Sequence, residues 1–341
     1  MAPAFPSVLP LRVTFRTAEP QRLPPFLGSA LHGTLARALH HTVCVFPKRP
    51  RCPGCPLYAR CTYPALFETP ANGDETLRAA GIRDQAPRPL VLAPEPGWTR
   101  PSGHPFALAA EAEIPVRITL IGRATADLPI LVVALQRTAT RGLGLRNSAG
   151  DEQSTPRRAA LRLMRITTAE GEHVIYDAAT DAFSPPPERK VRPESIRGAR
   201  TVSLTFVTPV RLKHQGRFLT TIAPPDLVAA LARRANALSV LHGCGKSAIA
   251  EPTAIELAAG LVVEACRLRR VHVTRYSARQ RQRMRWPGVM GEVRWQGDAL
   301  RDLRPLLRFG ELVQVGKGAA LGFGRYEIRC QVPGVRCQDR P

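Results

Sequence analysis

Acidic residues are scarce in this chain of 341 residues, which has 27 Asp and Glu against 49 Lys and Arg. The formal charge of +22 creates a field that attracts polyanions, so nucleic acid is the first candidate partner and an anionic membrane surface the second. Most of the basic residues are arginines. Because the planar guanidinium group matches phosphate and stacks on bases, this composition favours nucleic acid.

Long apolar runs are also absent. The longest, such as residues 128–135, fall far short of the ~20 residues that a membrane-spanning helix needs. The first residues lack the basic and then apolar pattern of a secretion signal. We therefore expect a cytoplasmic protein with no membrane partner. In such a protein, eight cysteines favour metal ligation or core packing over disulfides.

A phosphate-binding loop of the ATPase type is missing as well. Gly310 precedes Gly316-Lys317 by one residue too many, and Gly318 stands where that loop requires Ser or Thr. Gly245-Lys246-Ser247 also fails, because Val240 occupies the place of the first glycine. The sequence therefore gives no support for ATP use.

The predicted elements follow the same order twice. In the first half, periodicity predicts two helices, one after Pro25 and one at 127–140, strands at 10–16, 113–121 and 160–167, and loops over 71–104. In the second half it predicts a helix capped by Asp226, further helices at 252–267 and 298–308, and strands at 201–207, 270–275, 289–296 and 323–330. The second half follows the strand–helix–strand–strand–helix–strand order of a ferredoxin-like domain with one extra helix, and we assign the same order to the first half.

We therefore predict an α+β protein with two tandem ferredoxin-like (RRM-like) domains. The N-terminal domain takes up residues 1–177 and carries a cysteine-rich insertion at about 44–70. Residues 178–200, rich in Pro and charge and without periodicity, are the expected linker. The C-terminal domain takes up residues 201–341. Four-stranded sheets of this type often bind RNA, although a fold alone decides no function.

An arginine-rich stretch lies in the second domain, with eight arginines among residues 267–285 and Tyr276 and Trp286 close by. Its last four arginines alternate, so in an extended segment they share one face. No acidic residue interrupts 265–285, which favours contact with nucleic acid over an ordinary solvated face. The candidate contacts here are Arg275, Arg279, Arg281, Arg283 and Arg285.

A glycine-rich loop follows at Val315-Gly316-Lys317-Gly318-Ala319-Ala320-Leu321-Gly322-Phe323-Gly324-Arg325-Tyr326. Glycines let the backbone approach a ligand closely and turn its N–H groups toward an anion, although a tight turn before the last strand would also explain them. We take as candidate RNA contacts the loop residues Gly316, Lys317, Gly318, Gly322, Gly324 and Arg325, and in addition Lys213 and Lys246.

These motifs resemble those of the CRISPR-associated endoribonucleases of the RAMP superfamily, which process precursor CRISPR RNA. The resemblance is carried by the arginine-rich stretch, by the glycine-rich loop, by residues 27–33 (LGSALHG), by residues 208–213 (TPVRLK) and by Cys52-x-x-Cys55-Pro56-Leu57-x-x-x-Cys61. It covers most of the chain. One departure is Gln314, which stands where many relatives have a histidine.

The resemblance implies an endoribonuclease that binds CRISPR repeat RNA and cuts precursor CRISPR RNA. Metal-independent cleavage of RNA needs one group to deprotonate the 2′-hydroxyl and another to protonate the leaving 5′-oxygen, and His suits both steps. In the resembled family such a His often lies near the end of the first helix. The candidates there are His41 and His40, with Lys48 nearby to stabilise the charge of the phosphorane.

Four cysteines, Cys44, Cys52, Cys55 and Cys61, lie within eighteen residues. Cys52-x-x-Cys55 is the tight pair that lets two thiolates reach one tetrahedral ion, so the cluster predicts one structural zinc, with an iron–sulfur cluster as the alternative. Four unligated thiols are the remaining interpretation. In each case we expect catalysis to need no metal ion or other cofactor.

Two other functions stay open at this point. The chain resembles RAMP subunits that hold guide RNA without cutting it, within an effector complex of several CRISPR subunits. A zinc- or cluster-bearing DNA-binding protein is a further alternative. Cleavage of repeat RNA without metal separates the first alternative from an enzyme, and competition between DNA and RNA tests the second.

Overall fold

The computed structural model describes residues 5–49, 51–69, 86–101, 103–145, 158–187, 200–277 and 282–331. The first half contains helices α1 (Leu27–Val43) and α2 (Leu128–Arg141) and strands β1 (Val8–Thr17), β2 (Gln21–Leu23), β3 (Leu90–Pro94), β4 (Phe106–Leu108), β5 (Glu113–Ile121), β6 (Leu161–Thr168), β7 (Val174–Asp177) and β8 (Ala182–Phe183). Among the described residues, no helix is long and apolar enough to cross a membrane.

The second half contains helices α3 (Pro224–His242), α4 (Glu251–Ala259) and α5 (Leu300–Val313) and strands β9 (Thr201–Val210), β10 (Lys213–His214), β11 (Arg217–Phe218), β12 (Val262–Ser277), β13 (Gln282–Gln296) and β14 (Tyr326–Gln331). The main sheets have the orders β3-β5-β1-β6-β7-β8 and β12-β13-β9-β14, and all their pairs are antiparallel. Both contain the four-stranded ferredoxin-like order, so the predicted fold class is confirmed.

Apolar periodicity located most elements correctly. Helices α1 and α3 lie where periodicity predicts helices, and each buries an apolar stripe against a sheet face: Leu27, Leu31, Leu35, Ala38, Leu227, Leu231, Ala235 and Leu238. Strand β5 has the predicted bounds, and Gly142, with φ of 72°, ends α2. Asp226, in contrast, lies in the first turn of α3 and does not cap it, because the N-cap is Ala223.

The prediction of loops over 71–104 misses β3. This strand has no apolar–polar alternation because all five of its residues are buried. Leu90 and Leu92 belong to the core of the first domain, whereas Val91 belongs to the core of the second. Strand β3 therefore lies between the two domains and joins their cores.

The predicted helix at 252–267 is wrong in its second half. Helix α4 ends at Ala259, and residues 262–277 form β12. The continuous register of β12 with β13 shows one long hairpin, and β12 is the edge strand of its sheet. Residues 182–183 of the expected linker pair with β7 as β8, and residues 188–199 lie outside the described part of the chain.

Arg325 links the two domains. Its guanidinium group donates to the carbonyl oxygen of Pro94 at 2.9 Å and forms ion pairs with Glu95 at 3.1 Å and Glu327 at 3.2 Å. The side chain is only 6% exposed. A cation that is buried and paired in this way stabilises the domain contact, because removing it leaves carboxylates with fewer partners.

We expect Arg325→Met to lower the free energy of unfolding by about 3 kcal/mol, the lower end for a broken buried pair, because Glu95 keeps its ion pair with Arg117. Chemical denaturation measures this change. Arg329→Met removes an exposed arginine of β14, four residues after Arg325, and should change stability little. Equal stability of the two variants would contradict a linking role for Arg325.

Candidate functional site

The β12–β13 hairpin carries the arginine-rich stretch. One of its faces buries Val271 and Val273, and Val273 clusters with Phe26 and Phe323 at the contact with the first domain. Exposed arginines lie along the hairpin at Arg267, Arg269, Arg270 and Arg285. Arg283 lies on β13 two residues before Arg285, whereas Arg279 and Arg281 lie outside the described residues. The described part of the hairpin is therefore a positively charged surface at the edge of the second sheet.

The glycine-rich loop packs against the protein more closely than a solvent-facing turn would. A Cβ atom at Gly324, where φ is 72°, would lie 1.8 Å from the carbonyl oxygen of Val315. At Gly318, where φ is 88°, it would lie 3.1 Å from the ring of Phe323 and 3.2 Å from Trp286. The loop thus needs glycine there for its own closure. Gly316 and Gly322 also have positive φ, and Lys317 is exposed.

Gln314 fills the buried space beneath this loop. With its amide nitrogen facing the loop, it donates to the carbonyl oxygens of Ala319 at 2.8 Å and Phe323 at 2.9 Å. Its φ of 62° places it at the end of α5. Gln314, the residue that departs from the resembled family, therefore stabilises the conformation of the glycine-rich loop.

A chain of contacts between cations and aromatic rings lies beside the loop. Arg211 packs over Trp286, with 4.2 Å from its guanidinium carbon to the ring centroid, and over Phe218 at 4.6 Å. Arg275 packs over Trp286 at 4.5 Å, and the Lys213 ammonium lies 4.8 Å from the Phe218 ring. We call Arg211, Trp286 and Arg275 the arginine–tryptophan cluster. The sequence prediction included Arg275 and Lys213 as contacts but missed Arg211 and Trp286.

Two candidate contacts stand apart from this cluster. Lys246 is exposed in the loop after α3, and no contact among the described residues joins it to the glycine-rich loop. Arg325 is buried at the domain contact, where carboxylates already pair with it. We therefore leave Arg325 out of the RNA surface proposed below.

The two adjacent histidines at the end of α1 face different surroundings. The His40 ring packs edge-on against Tyr63 at 4.8 Å and lines the cavity that the four cysteines also line. His41 is exposed. Successive residues of a helix are about 100° apart, which accounts for the divergence. Only the tertiary contacts could reveal this difference between the two residues.

His41 is surrounded by arginines. Partial desolvation of its ring, followed by the charges of Arg141, His40, Arg137 and Arg37, lowers the pKa of His41. Arg137 also donates to the carbonyl oxygen of His41 at 3.1 Å, which ties α2 to the end of α1. A neutral imidazole beside cations suits a proton acceptor next to a phosphate.

The sequence prediction missed these three arginines. Arg37 lies four residues before His41, and Arg137 and Arg141 are four residues apart at the end of α2. Such spacing is common on solvated helices, so it carried no signal by itself. Lys48 is exposed in the turn after α1, and no contact among the described residues brings its ammonium group to His41.

Of the other histidines near the domain contact, His242 is buried and His32 is half-buried. His32 lies 3.2 Å from the Arg88 guanidinium, and burial and then the charges of Arg88 and Arg275 lower its pKa to about 3. His242 packs against Pro87, and burial lowers its pKa to about 4. Both are neutral at pH 7, and the domain contact restricts their access to a substrate.

The structure brings all four cysteines of the insertion to the wall of one cavity: Cys44, Cys52, Cys55 and Cys61. Burial, followed by Glu68 and the other three thiols, raises the pKa of Cys52 to about 11. Within the described residues, no group of three or more His, Cys, Asp or Glu side chains is arranged to hold a metal ion. The thiols thus share a site without forming a closed coordination shell.

Comparison with known proteins extends over both domains. Residues 5–188 match the AF_1859_N family, an N-terminal domain, and residues 204–326 match the family of the CRISPR-associated endoribonuclease Cas6. No curated protein matches the chain significantly.

Several solved structures share the fold. A product complex of Cas6 (TTHB231) is 19% identical, with a TM-score of 0.56 over 95% of this chain and 100% of that chain. Thermus thermophilus Cas6 (TTHB231) is 18% identical, with a TM-score of 0.53 over 96% and 100%. A partial Cas6-RT-Cas1–Cas2 complex is 10% identical, with a TM-score of 0.55 over 98% of this chain and 48% of that chain.

The two family matches together account for nearly all of both sheets and for the hairpin and the loop described above. The solved structures agree with them in fold across both domains. By its N-terminal half this chain belongs to the AF_1859_N family, and its C-terminal domain matches the model of the CRISPR-associated endoribonuclease Cas6 over residues 204–326.

Proposed function

We propose that this protein cuts precursor CRISPR RNA within the repeat, without a catalytic metal ion, and leaves a cyclic phosphate. The observation that carries the proposal is His41, which lies exposed among Arg37, Arg137 and Arg141 at the end of α1. Three cations provide a place for a phosphate, and the imidazole provides a base beside it. The Cas6 family match supports the substrate.

In the proposed mechanism the arginines bind the scissile phosphate and His41 accepts the proton of the adjacent 2′-hydroxyl. The 2′-oxygen attacks phosphorus in line, and the bond to the 5′-oxygen breaks as the cyclic phosphate forms. The guanidinium groups stabilise the negative charge that develops on the phosphorane. The protonated His41 or a water molecule returns a proton to the leaving oxygen.

The test of this function is incubation of the purified protein with repeat RNA in excess chelator. Cleavage at one position, with a 2′,3′-cyclic end on the upstream product, supports the proposal. Binding without cleavage would favour the second candidate, a RAMP subunit that holds guide RNA. Lys48 is exposed and is not one of the arginines around His41, but we propose it as a further stabiliser of the phosphorane. Lys48→Ala tests this role in the same assay.

The RNA surface we propose consists of the β12–β13 hairpin and the neighbouring loop. It includes the charged residues Arg275, Arg279, Arg281, Arg283, Arg285 and Lys317 and the loop glycines Gly316, Gly318, Gly322 and Gly324. Lys213 on β10 and Lys246 on the loop after α3 are further proposed contacts outside the hairpin and the loop. The solved relatives include a product complex and complexes with Cas1–Cas2, so repeat RNA and other CRISPR proteins are the proposed partners. We place this activity in the cytoplasm.

Affinity for repeat RNA should depend steeply on salt, because each phosphate that the protein neutralises releases counterions. We expect Arg279→Ala with Arg281→Ala to reduce the slope of log affinity against log salt by roughly 1 to 2. Fluorescence anisotropy at several salt concentrations measures the slope. Arg301→Ala, an exposed arginine on α5, is the control, and an unchanged slope in the hairpin variant would remove these residues from the RNA surface.

We also propose that Cys44, Cys52, Cys55 and Cys61 take up one structural zinc, with an iron–sulfur cluster as the alternative, after small adjustments of their loop. The support is that all four thiols line one cavity and that the described residues from Cys44 to Cys61 form turns and bends, without a helix or a strand. A bound metal would supply the cross-link that holds such a segment folded.

The purified protein is therefore expected to carry about one metal equivalent or one cluster per chain. Elemental analysis and an absorption spectrum distinguish zinc from iron. Cys52→Ser with Cys55→Ser should lose the metal, whereas Cys266→Ser, an exposed cysteine of β12, should keep it. Metal-free protein with the stability of the wild type would refute the site.

A further inference from the structure

We propose that the arginine–tryptophan cluster of Arg211, Trp286 and Arg275 is a binding site for one phosphate group of the RNA. This inference rests on the proposed function and assigns a specific step of substrate binding to the cluster. Its starting point is that two guanidinium groups share one indole ring, at 4.2 Å and 4.5 Å from the ring centroid.

Neither guanidinium group has an anionic partner in the part of the chain that the structure describes, because no ion pair there involves Arg211 or Arg275. The Nε of Arg275 is buried and donates to no acceptor among the described residues. Arg211 donates from Nε to the carbonyl oxygen of Pro287 at 2.8 Å, so its terminal nitrogens are left for another acceptor.

The arrangement is unfavourable without a ligand. Burial and then the neighbouring charge of Arg275 lower the pKa of Arg211 to about 10. Like charges held together away from bulk water repel one another, and a buried N–H without an acceptor carries a desolvation penalty. An oxyanion beside Arg275 would reduce the repulsion between the two guanidinium groups. It would also accept a hydrogen bond from the unpaired Nε–H of Arg275.

The surroundings favour a phosphate of single-stranded RNA over other anions. Exposed Lys317 lies on the loop that covers Arg211, since its backbone N–H donates to the Arg211 carbonyl oxygen at 2.9 Å. Lys213 and Phe218 continue the alternation of cations and rings. Basic grooves with interleaved aromatic side chains bind single strands through phosphates and stacked bases.

The two arginines have different tasks in this site. Arg275 and Trp286 are partly exposed, whereas Arg211 is only 8% exposed and lies beneath the loop. We assign the direct phosphate contact to Arg275. Arg211 is a positioning residue, which holds the Trp286 ring and adds its charge from below.

The experiment compares Arg275→Gln with Arg301→Gln, an exposed arginine on α5 whose loss gives the same change in net charge. The probe is repeat RNA with 2′-deoxyribose at the cut position, so that binding is measured without cleavage. We expect Arg275→Gln to raise Kd about tenfold or more and to reduce the salt slope by about 1. Arg301→Gln should stay within about twofold of the wild type. Arg275→Lys should be intermediate, because it keeps the charge but loses the planar fork.

Tryptophan fluorescence supplies an independent readout. The Trp286→Phe variant keeps Trp98 and Trp295. The difference between its fluorescence titration with RNA and that of the wild type is therefore the signal of Trp286. We expect RNA to change the Trp286 signal in the wild type and to leave the Trp286→Phe signal nearly constant. A thermal melt of Arg275→Gln at or above the wild-type midpoint shows that lost affinity does not come from lost folding.

The outcomes separate this site from the proposed function. Equal affinities of folded Arg275→Gln and Arg301→Gln would overturn the phosphate site, while cleavage by the wild type would leave the proposed function intact. Loss of affinity in Arg275→Gln, together with a wild type that binds but never cuts, would support the site and overturn the endoribonuclease. A wild type that binds no repeat RNA would overturn both.

Discussion

His41→Ala should slow cleavage of repeat RNA by roughly a hundredfold or more, the usual scale for losing a general acid or base. The affinity for RNA should stay near that of the wild type, because a neutral imidazole adds little to phosphate binding. Single-turnover cleavage measures the rate, and anisotropy with 2′-deoxy RNA measures the affinity. The physical basis is the exposed position of His41 among Arg37, Arg137 and Arg141.

His40→Ala is the matched control because its ring packs against Tyr63 and lines the cysteine cavity. We expect it to keep most of the activity, and the variant with both histidines changed to match His41→Ala. Full activity of the double variant would contradict the proposal and move attention to His32, His214 or His242. Of these, His214 is exposed and lies 3.1 Å from Asp226, whereas His242 is buried and His32 is half-buried.

The pH dependence gives a second check on His41. Its pKa is lowered by partial desolvation and by Arg141, His40, Arg137 and Arg37, so its neutral form persists somewhat below the usual pKa of 6.5. The cleavage rate should therefore fall only when the pH drops through that lowered value. Arg141→Gln removes a cation and raises the pKa of His41, which should move the acid limb of the rate profile to higher pH.

Repeat RNA with a single 2′-deoxyribose at the cut position should bind normally and remain intact. The 2′-oxygen is the only nucleophile in the proposed mechanism, so its removal eliminates the reaction and leaves the phosphate contacts in place. Gel analysis after long incubation, beside an all-ribose substrate, measures this. A 2′-deoxyribose one nucleotide away is the control and should be cut. Cleavage of the first substrate would rule out attack by the 2′-oxygen.

The sequence by itself predicted the fold because its amphipathic elements obey simple periods. Strand β5 and the buried stripes of α1 and α3 lie where alternation or 3.6-residue spacing placed them. The prediction missed β3, which is buried against both domains and therefore shows no alternation. It also extended a helix to residue 267, although residues 262–267 belong to an edge strand in which Arg267, Arg269 and Arg270 face solvent.

The sequence also determined the chemistry available to the protein: a basic surface, four clustered thiols and two histidines at the end of the first helix. Only the tertiary structure decided which of the charged and aromatic side chains lie next to one another. In the folded protein Arg325 is buried beside Glu95, and Arg211 and Arg275 pack over the ring of Trp286. Charge and spacing along a chain do not specify which side chains from distant segments meet, because that depends on how the two sheets and their helices pack.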